Sequence, residues 1–201
     1  MTETFGEYDN DIQPSDEYLV VGFSPSSIPL KQRWRNSGLS ADFLADYLTT
    51  FFPVDESKPG TVDRQAEVKS AVGYIANELL ENAMKFSDDR LSHPISIRLQ
   101  LHTDRLIFVT TNTIPLEKVS GFQAYIKRLT TEDPQELYIE RLEKTATEEH
   151  PTTSGLGYLT MINDYHAQLG WKFEHLETEA DDGQLQKTVA VTTMVQLVVS
   201  S

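Results

Sequence analysis

The spacing of hydrophobic residues changes several times along the chain, and each change marks a predicted element. A short apolar run over 18–23 predicts a first strand. Apolar residues at helical spacing follow Ser40, which is the predicted N-cap of a helix over 41–52 that ends before Pro53. Residues 62–87 form one long amphipathic pattern. The first part of the chain is therefore expected to contain one strand and two helices.

The rest of the pattern predicts a hairpin, three helices and a second hairpin. Polar and apolar residues alternate over 94–102, and a more apolar run covers 105–112. Only Thr103 and Asp104 separate these runs, which predicts antiparallel neighbours joined by a tight turn. The later elements are predicted as helices over about 116–129, 135–145 and 158–166 and closing strands over 168–177 and 185–199.

This order of elements predicts an α/β fold of the α+β type. Helices would cover one face of a mixed, mostly antiparallel sheet in a two-layer sandwich. Residues 1–16 carry several acids, no Lys or Arg and little periodicity, and predict a solvated or disordered tail. We therefore expect a tail over 1–16 and a single domain over 17–201.

Composition narrows the range of functions. Acidic residues outnumber basic ones 31 to 17, for a formal charge of −14, which argues against nucleic-acid and anionic-membrane surfaces. Without cysteine, the chain has no disulfide, thiolate metal site or cysteine nucleophile. It has neither a membrane-length apolar run nor an N-terminal segment that resembles a signal peptide. We expect a cytoplasmic protein.

The segment ELLENAMKF places three polar groups on one shoulder of the long helix. At about 100° per residue, Glu78, Asn82 and Lys85 fall within roughly 60° of one another, beside the apolar stripe. A carboxylate and an amide one turn apart suit a hydrated magnesium ion, and a nearby lysine suits phosphate. The same three residues are also typical of a solvated helix face, so both interpretations stay open on this segment alone.

A glycine-containing segment, TTSGLG over 152–157, precedes the last predicted helix. Hydroxyls and glycines that lead into a helix supply free backbone N–H groups and allow close approach of phosphate oxygens. An ordinary capping turn would show the same pattern. The two segments strengthen each other because metal binding and phosphate binding are two halves of one nucleotide site.

These segments resemble a known family. ELLENAMKF is similar to the N box of the GHKL ATPases, whose fold is shared by sensor histidine kinases, anti-sigma-factor serine kinases, type II topoisomerases and heat-shock ninety chaperones. SGLGYLTMI is similar to the glycine box of that family. Together, VTTN, ELYIERLEKTA and SGLGYLTMINDYHAQLGWKFE resemble the SiaB-type protein kinases of bacterial partner-switching pathways. The resemblance covers about residues 60–195, with 17–59 as an extension, and implies a Bergerat-type sheet.

The resemblance implies a role for each matching residue. Asn82 would bridge to Mg²⁺, and Glu78 would orient or deprotonate the attacking hydroxyl or water. Lys85 would approach the phosphates of ATP, and Phe86 would flank the adenine, although Phe86 also fits the apolar stripe. The loop that closes over the phosphates would contain Ser154, Gly155 and Gly157.

The chain departs from the family after the second strand of the predicted hairpin. Typical members have Asp-x-Gly-x-Gly there, whereas this chain reads TTNTIP over 110–115. Asn112 can accept a hydrogen bond from the adenine amino group through its carbonyl, but it lacks the charge of the aspartate. None of the five histidines lies on a helix ahead of the ATPase-like region, which argues against histidine autophosphorylation. No HExxH or GxSxG arrangement occurs.

Two functions stay open. The first is an ATP- and Mg²⁺-dependent serine/threonine protein kinase whose substrate is a small STAS-type partner. The alternative is a catalytically degenerate GHKL-like domain that acts as a protein-interaction module without ATP turnover. The aromatic stripe of the first helix, which includes Phe43, Tyr47 and Phe51, is expected in the core, with a homodimer seam as the second interpretation.

Overall fold

A computed structural model describes residues 2–23, 30–52, 60–87, 94–147, 155–179 and 185–199. Within these ranges the chain forms six strands and five helices. In chain order they are β1 Thr2–Gly6, β2 Tyr18–Phe23, α1 Leu30–Thr49, α2 Thr61–Phe86, β3 Ile95–Leu101, β4 Arg105–Pro115, α3 Leu116–Thr131, α4 Pro134–Thr147, α5 Gly157–Asn163, β5 Gln168–Glu179 and β6 Leu185–Val198.

All six strands belong to one sheet with the order β1-β5-β6-β4-β3-β2. The helices pack against this sheet, so the predicted two-layer α+β sandwich is confirmed. The predicted antiparallel pairs β3–β4 and β5–β6 are also confirmed. Every neighbouring pair among the described strands is antiparallel, so the expected mixed sheet is wrong in this detail. The β5–β6 pair joins the β3–β4 pair through β6 and β4, which run in opposite directions.

The prediction of a disordered tail over 1–16 is wrong for residues 2–6, which form β1. This strand pairs antiparallel with β5 and closes one edge of the sheet. Phe5 lies opposite Trp171 in the register, and its ring meets that of Phe173 edge-on at 5.5 Å between centroids. The segment has little apolar periodicity because β1 is an edge strand with alternating exposed and half-buried residues.

Residues 7–17 lead from β1 at one edge of the sheet to β2 at the other edge. Along this route the Gln196 side-chain amide donates to the Glu7 carbonyl at 3.2 Å. The backbone N–H of Ser15 donates to Oε1 of Gln100 at 3.3 Å, and the Ser15 hydroxyl donates to the Leu101 carbonyl. Polar side chains of β6 and β3 therefore hold a crossing segment that the sequence pattern assigned to solvent.

The helix predicted over 41–52 begins earlier, at Leu30, so Ser40 lies inside α1 and the N-cap prediction is wrong. Gly38 and Ser40 lower helix propensity, but packing against α2 outweighs that penalty. Leu44 and Leu48 are fully buried, whereas Phe43 is 54% exposed. Pro53, expected to end this helix, lies outside the described residues, and the homodimer seam stays a prediction.

The long helix α2 was predicted almost to the residue and forms the centre of the helical layer. Its apolar stripe includes Val72, Ile75 and Leu79, which are buried against the sheet and α1. Asp63 in the first turn and Lys85 in the last turn carry charges that interact favourably with the helix macrodipole and so stabilise α2. Of the helices in the described ranges, none combines the length and apolar character needed to cross a membrane.

Candidate active site

A cavity of about 500 Å³ opens between α2, α3, α4 and the segment that enters α5. It brings together most of the residues predicted for a nucleotide site, although they come from two distant parts of the sequence. Those that line it are Glu78, Asn82, Lys85, Phe86, Gly155 and Gly157. Ser154 lies outside the described residues.

One wall of the cavity is the last two turns of α2. Glu78 and Asn82 are half-buried one turn apart, as the 3.6-residue period requires. Phe86 follows one turn later and is 39% exposed, so its ring forms part of the cavity wall rather than the core. Nζ of Lys85 lies 5.8 Å from the centroid of that ring.

The carboxyl group of Glu78 lies directly against Gly157, the first residue of α5. A β-carbon at position 157 would overlap Oε2 of Glu78 and lie 3.0 Å from its Cδ, so any other residue would require the Glu78 side chain to move. Burial raises the pKa of Glu78 above its ordinary value, and the neighbouring Glu81 raises it further. The charge of Lys85 offsets part of this rise. The pKa of Glu78 is therefore shifted towards that of a general base working near neutral pH.

Gly155 bends the chain as it enters the cavity. Its φ of 62° is in the left-handed region, which glycine adopts without strain. The Gly155 carbonyl accepts a hydrogen bond of 2.8 Å from the Tyr125 hydroxyl. Burial raises the pKa of Tyr125 to about 12, so this hydroxyl keeps its proton at neutral pH. This hydrogen bond ties the glycine segment to α3.

Asn112 lies below the main cavity rather than in its wall. It lines a small void of about 20 Å³, together with Thr110 and Thr193 on the helix-covered face of the sheet. Asn82 and Tyr158 line both spaces and connect them. Burial raises the pKa of Tyr158, and the nearby polar side chains of Thr193 and Asn82 lower that pKa in part. A polar floor therefore lies under the predicted adenine region.

Several residues of the cavity were not predicted from the sequence. Tyr125 and Lys118 come from α3, Arg141 comes from α4, and Tyr158 comes from α5. These helices follow one another in the sequence, but no local pattern shows that their inner faces converge on α2. ELYIERLEK, which contains Arg141, was noted only for its resemblance to SiaB-type kinases. That resemblance was the one available signal.

Charged side chains of both signs line the cavity. The cations are Lys85, Lys118 and Arg141, and the acids are Glu78, Glu81 and Glu117. Such a mixture suits a phosphate chain that arrives with a divalent cation, because the cations contact phosphate oxygens while oxygen ligands face the metal. The described residues contain no group of three His, Cys, Asp or Glu side chains placed to hold a metal ion.

Comparison of the sequence with protein-family models and with curated proteins finds no match. The observations that bear on function are therefore the α+β sandwich and the cavity itself. Both are compatible with a nucleotide site, and the assignment to GHKL proteins is made as a proposal.

Proposed function

We propose that this chain is a cytoplasmic GHKL-type protein kinase that transfers the terminal phosphate of Mg-ATP to a serine or threonine hydroxyl of a small STAS-type partner. One observation carries the proposal. A half-buried carboxylate, an amide one turn away and a glycine segment line one cavity that also contains an aromatic ring and three cations. The resemblance of the same segments to the N box and glycine box supports this choice among nucleotide-binding folds.

The residues divide the proposed chemistry among them. Asn82 would hold Mg²⁺, which would neutralise charge on the phosphates when bound. Glu78 would take the proton of the attacking serine or threonine hydroxyl while the oxygen of that hydroxyl bonds to the terminal phosphorus. The bond from that phosphorus to the bridging oxygen breaks, and ADP leaves with the electron pair. The Lys85 ammonium would contact phosphate oxygens.

The base would lie at the aromatic end of the cavity. The exposed ring of Phe86 can flank a purine, and Phe122 lines the same space from α3. Asn112 would accept a hydrogen bond from the adenine amino group through its side-chain carbonyl. This contact requires the base to reach the polar floor below Asn82 and Tyr158.

A specific observation favours the second candidate, a non-catalytic interaction module. The void beside Asn112 measures only about 20 Å³, far less than a purine ring needs. The Asn112 side chain also lacks the charge of the aspartate found at this position in GHKL enzymes. A domain that kept the fold and lost its nucleotide would show both features.

Two measurements separate the candidates. Calorimetry with Mg-ATP should show saturable binding, whereas no heat and no thermal shift at millimolar nucleotide would support the interaction module. Transfer of labelled phosphate to the STAS-type partner should then fall at least about 100-fold in Glu78→Gln and in Asn82→Ala. Glu67→Gln is the matched control because Glu67 is exposed on the same helix, outside the cavity. Transfer that persists in both cavity variants would remove the proposed roles of Glu78 and Asn82.

A further inference from the structure

Arg141 is the one arginine among the described residues that line the main cavity. It projects from the side of α4 that faces α3 and the glycine segment, one turn after the buried Leu137. Its Cζ lies 5.0 Å from the centroid of the Tyr125 ring. A β-carbon on Gly155 would be 3.6 Å from the same atom. The guanidinium is therefore held between an aromatic face and the backbone of the glycine segment.

Within the described ranges no carboxylate forms a salt bridge with this guanidinium, although the charge of the neighbouring Glu140 acts on it. Arg128, the nearest arginine along the chain, instead forms ion pairs with Glu132 at 2.8 Å and Glu140 at 2.7 Å. Arg141 forms no salt bridge there, although the chain carries fourteen more acidic than basic residues. Cation–π contact with Tyr125 orients the guanidinium but leaves its N–H groups able to bind oxygen. A half-buried guanidinium that lines the cavity and has no salt-bridge partner among the described residues favours an anionic ligand there.

The glycine segment places Arg141 and Glu78 near the same part of such a ligand. Gly155 lies beside Arg141, and Gly157 lies against Glu78. These two glycines are separated by at most about 7 Å of chain, since each residue spans no more than about 3.6 Å. In the proposed reaction, Glu78 acts at the terminal phosphate. A phosphate between the two glycines would therefore have the carboxylate on one side and the guanidinium on the other.

We infer that Arg141 contacts the terminal phosphate of the bound nucleotide and makes the site selective for a nucleoside triphosphate over a diphosphate. The inference rests on the proposed function and extends it to a residue outside both sequence boxes. During transfer the guanidinium neutralises charge on the oxygens of the moving phosphoryl group. Tyr125 is a positioning residue, because its ring supports Arg141 and its hydroxyl fixes the Gly155 carbonyl.

The test compares the affinities of the full chain for Mg-ATP and Mg-ADP by calorimetry. Arg141→Met should weaken ATP binding about 10- to 100-fold, the usual range for a lost charge-assisted hydrogen bond, and ADP binding less than about 3-fold. Arg141→Lys should recover part of the ATP affinity because it keeps the charge without the planar fork. Arg128→Met is the matched control, since this guanidinium is paired outside the cavity, and should leave both affinities unchanged.

The outcomes distinguish this inference from the proposed function. Equal weakening of ATP and ADP in Arg141→Met, or no weakening of either, would overturn the selectivity role while the kinase proposal stands. Failure of the unaltered chain to bind Mg-ATP would overturn both. Tyr125→Phe gives a second readout because it keeps the aromatic ring and removes the hydroxyl. The ratio of ATP affinity to ADP affinity should fall in this variant by a smaller factor than in Arg141→Met. Should Arg141→Met fail to fold, Arg141→Lys and Tyr125→Phe decide the question by the same ratio.

Discussion

The Glu78 carboxylate fills the space that a side chain at Gly157 would need. The two residues are far apart in sequence: Gly157 begins α5, and Glu78 lies about two turns before the end of α2. Their contact joins the predicted catalytic helix to the glycine segment without any intervening atom. A residue that resembles a phosphate-loop glycine thus also leaves room for the Glu78 carboxylate between α5 and α2.

Substitution of Gly157 should therefore destabilise the fold through Glu78. We expect Gly157→Ala to push the carboxylate end of Glu78 aside and to lower the free energy of unfolding by about 0.5–1.5 kcal/mol, the usual cost of an off-rotamer side chain. The loss should be smaller when Glu78→Ala is also present, because the shortened side chain leaves room for the methyl group. Urea denaturation of the single and double variants measures this coupling.

Gly38→Ala is the control for that cycle. A β-carbon there meets nothing within 4 Å, so this helical substitution should be neutral or should stabilise by up to about 1 kcal/mol. Strict additivity of Gly157→Ala and Glu78→Ala would contradict the contact.

Glu78 should make stability depend on pH. The pKa of the Glu78 carboxyl group is raised in the folded protein, so the protonated form of this group favours folding. This contribution to stability is fully present below the pKa that the group has in the unfolded chain. This contribution is lost as the pH rises through the folded pKa. Glu78→Gln fixes a neutral side chain of the same shape, so its Tm should exceed that of the unaltered chain at about pH 7, and the difference should vanish near pH ~4. Thermal scans across this range check the sign, with Glu67→Gln as the control for a substitution at an exposed position of the same helix.

The ion pairs of Arg128 should show the opposite dependence on pH. This guanidinium holds the pKa values of Glu132 and Glu140 below their ordinary range. The contribution of these two ion pairs to stability is therefore present above the unfolded carboxyl pKa and is lost as the pH falls through the folded pKa values.

The same ion pairs should depend on salt. All three side chains are exposed, so we expect Arg128→Ala to lower Tm only slightly in low salt and not at all at about 1 M salt. A Tm loss unaffected by salt would indicate a packing role instead.

The first strand should contribute to stability despite its acidic surroundings. Phe5 packs edge-on against Phe173 and also belongs to the residues around the core. Phe5→Ala should lower the free energy of unfolding by about 2–3 kcal/mol, below the range for a fully buried phenylalanine. Thr4→Ala is the control because Thr4 is exposed on the same strand. Equal stability of the two variants would show that β1 does not dock in solution.

Local periodicity predicted most of the elements because their apolar faces were regular. The long helix α2 and the β3–β4 hairpin are clear cases, since one has an uninterrupted helical stripe and the other has only three residues between its strands. The sequence pattern missed β1 because that strand depends on pairing with residues 170–174, near the other end of the chain. It also missed the start of α1, where Gly38 resembles a break although the helix continues through it.

The site was predicted only where helical spacing or the resemblance marked it. Glu78 and Asn82 could be placed on one helix face from their spacing alone. Arg141 and Tyr125 could not, because their approach depends on how α3 and α4 fold back over α2. Asn112 was assigned to the site by position in the sequence, and the structure places it one layer deeper, on the floor below Asn82.

The crossing segment over 7–17 has a consequence for folding order. Both edge strands of the sheet, β1 and β2, are synthesised first, whereas β5 and β6 are synthesised last. β1 therefore has no partner until β5 has been made, and the central strand β6 follows β5. Folding through such distant contacts is expected to be slow and to finish only after β6 has emerged. Residues 2–6 must stay unpaired until then, and the acids scattered over residues 3–17 would help keep this segment from aggregating.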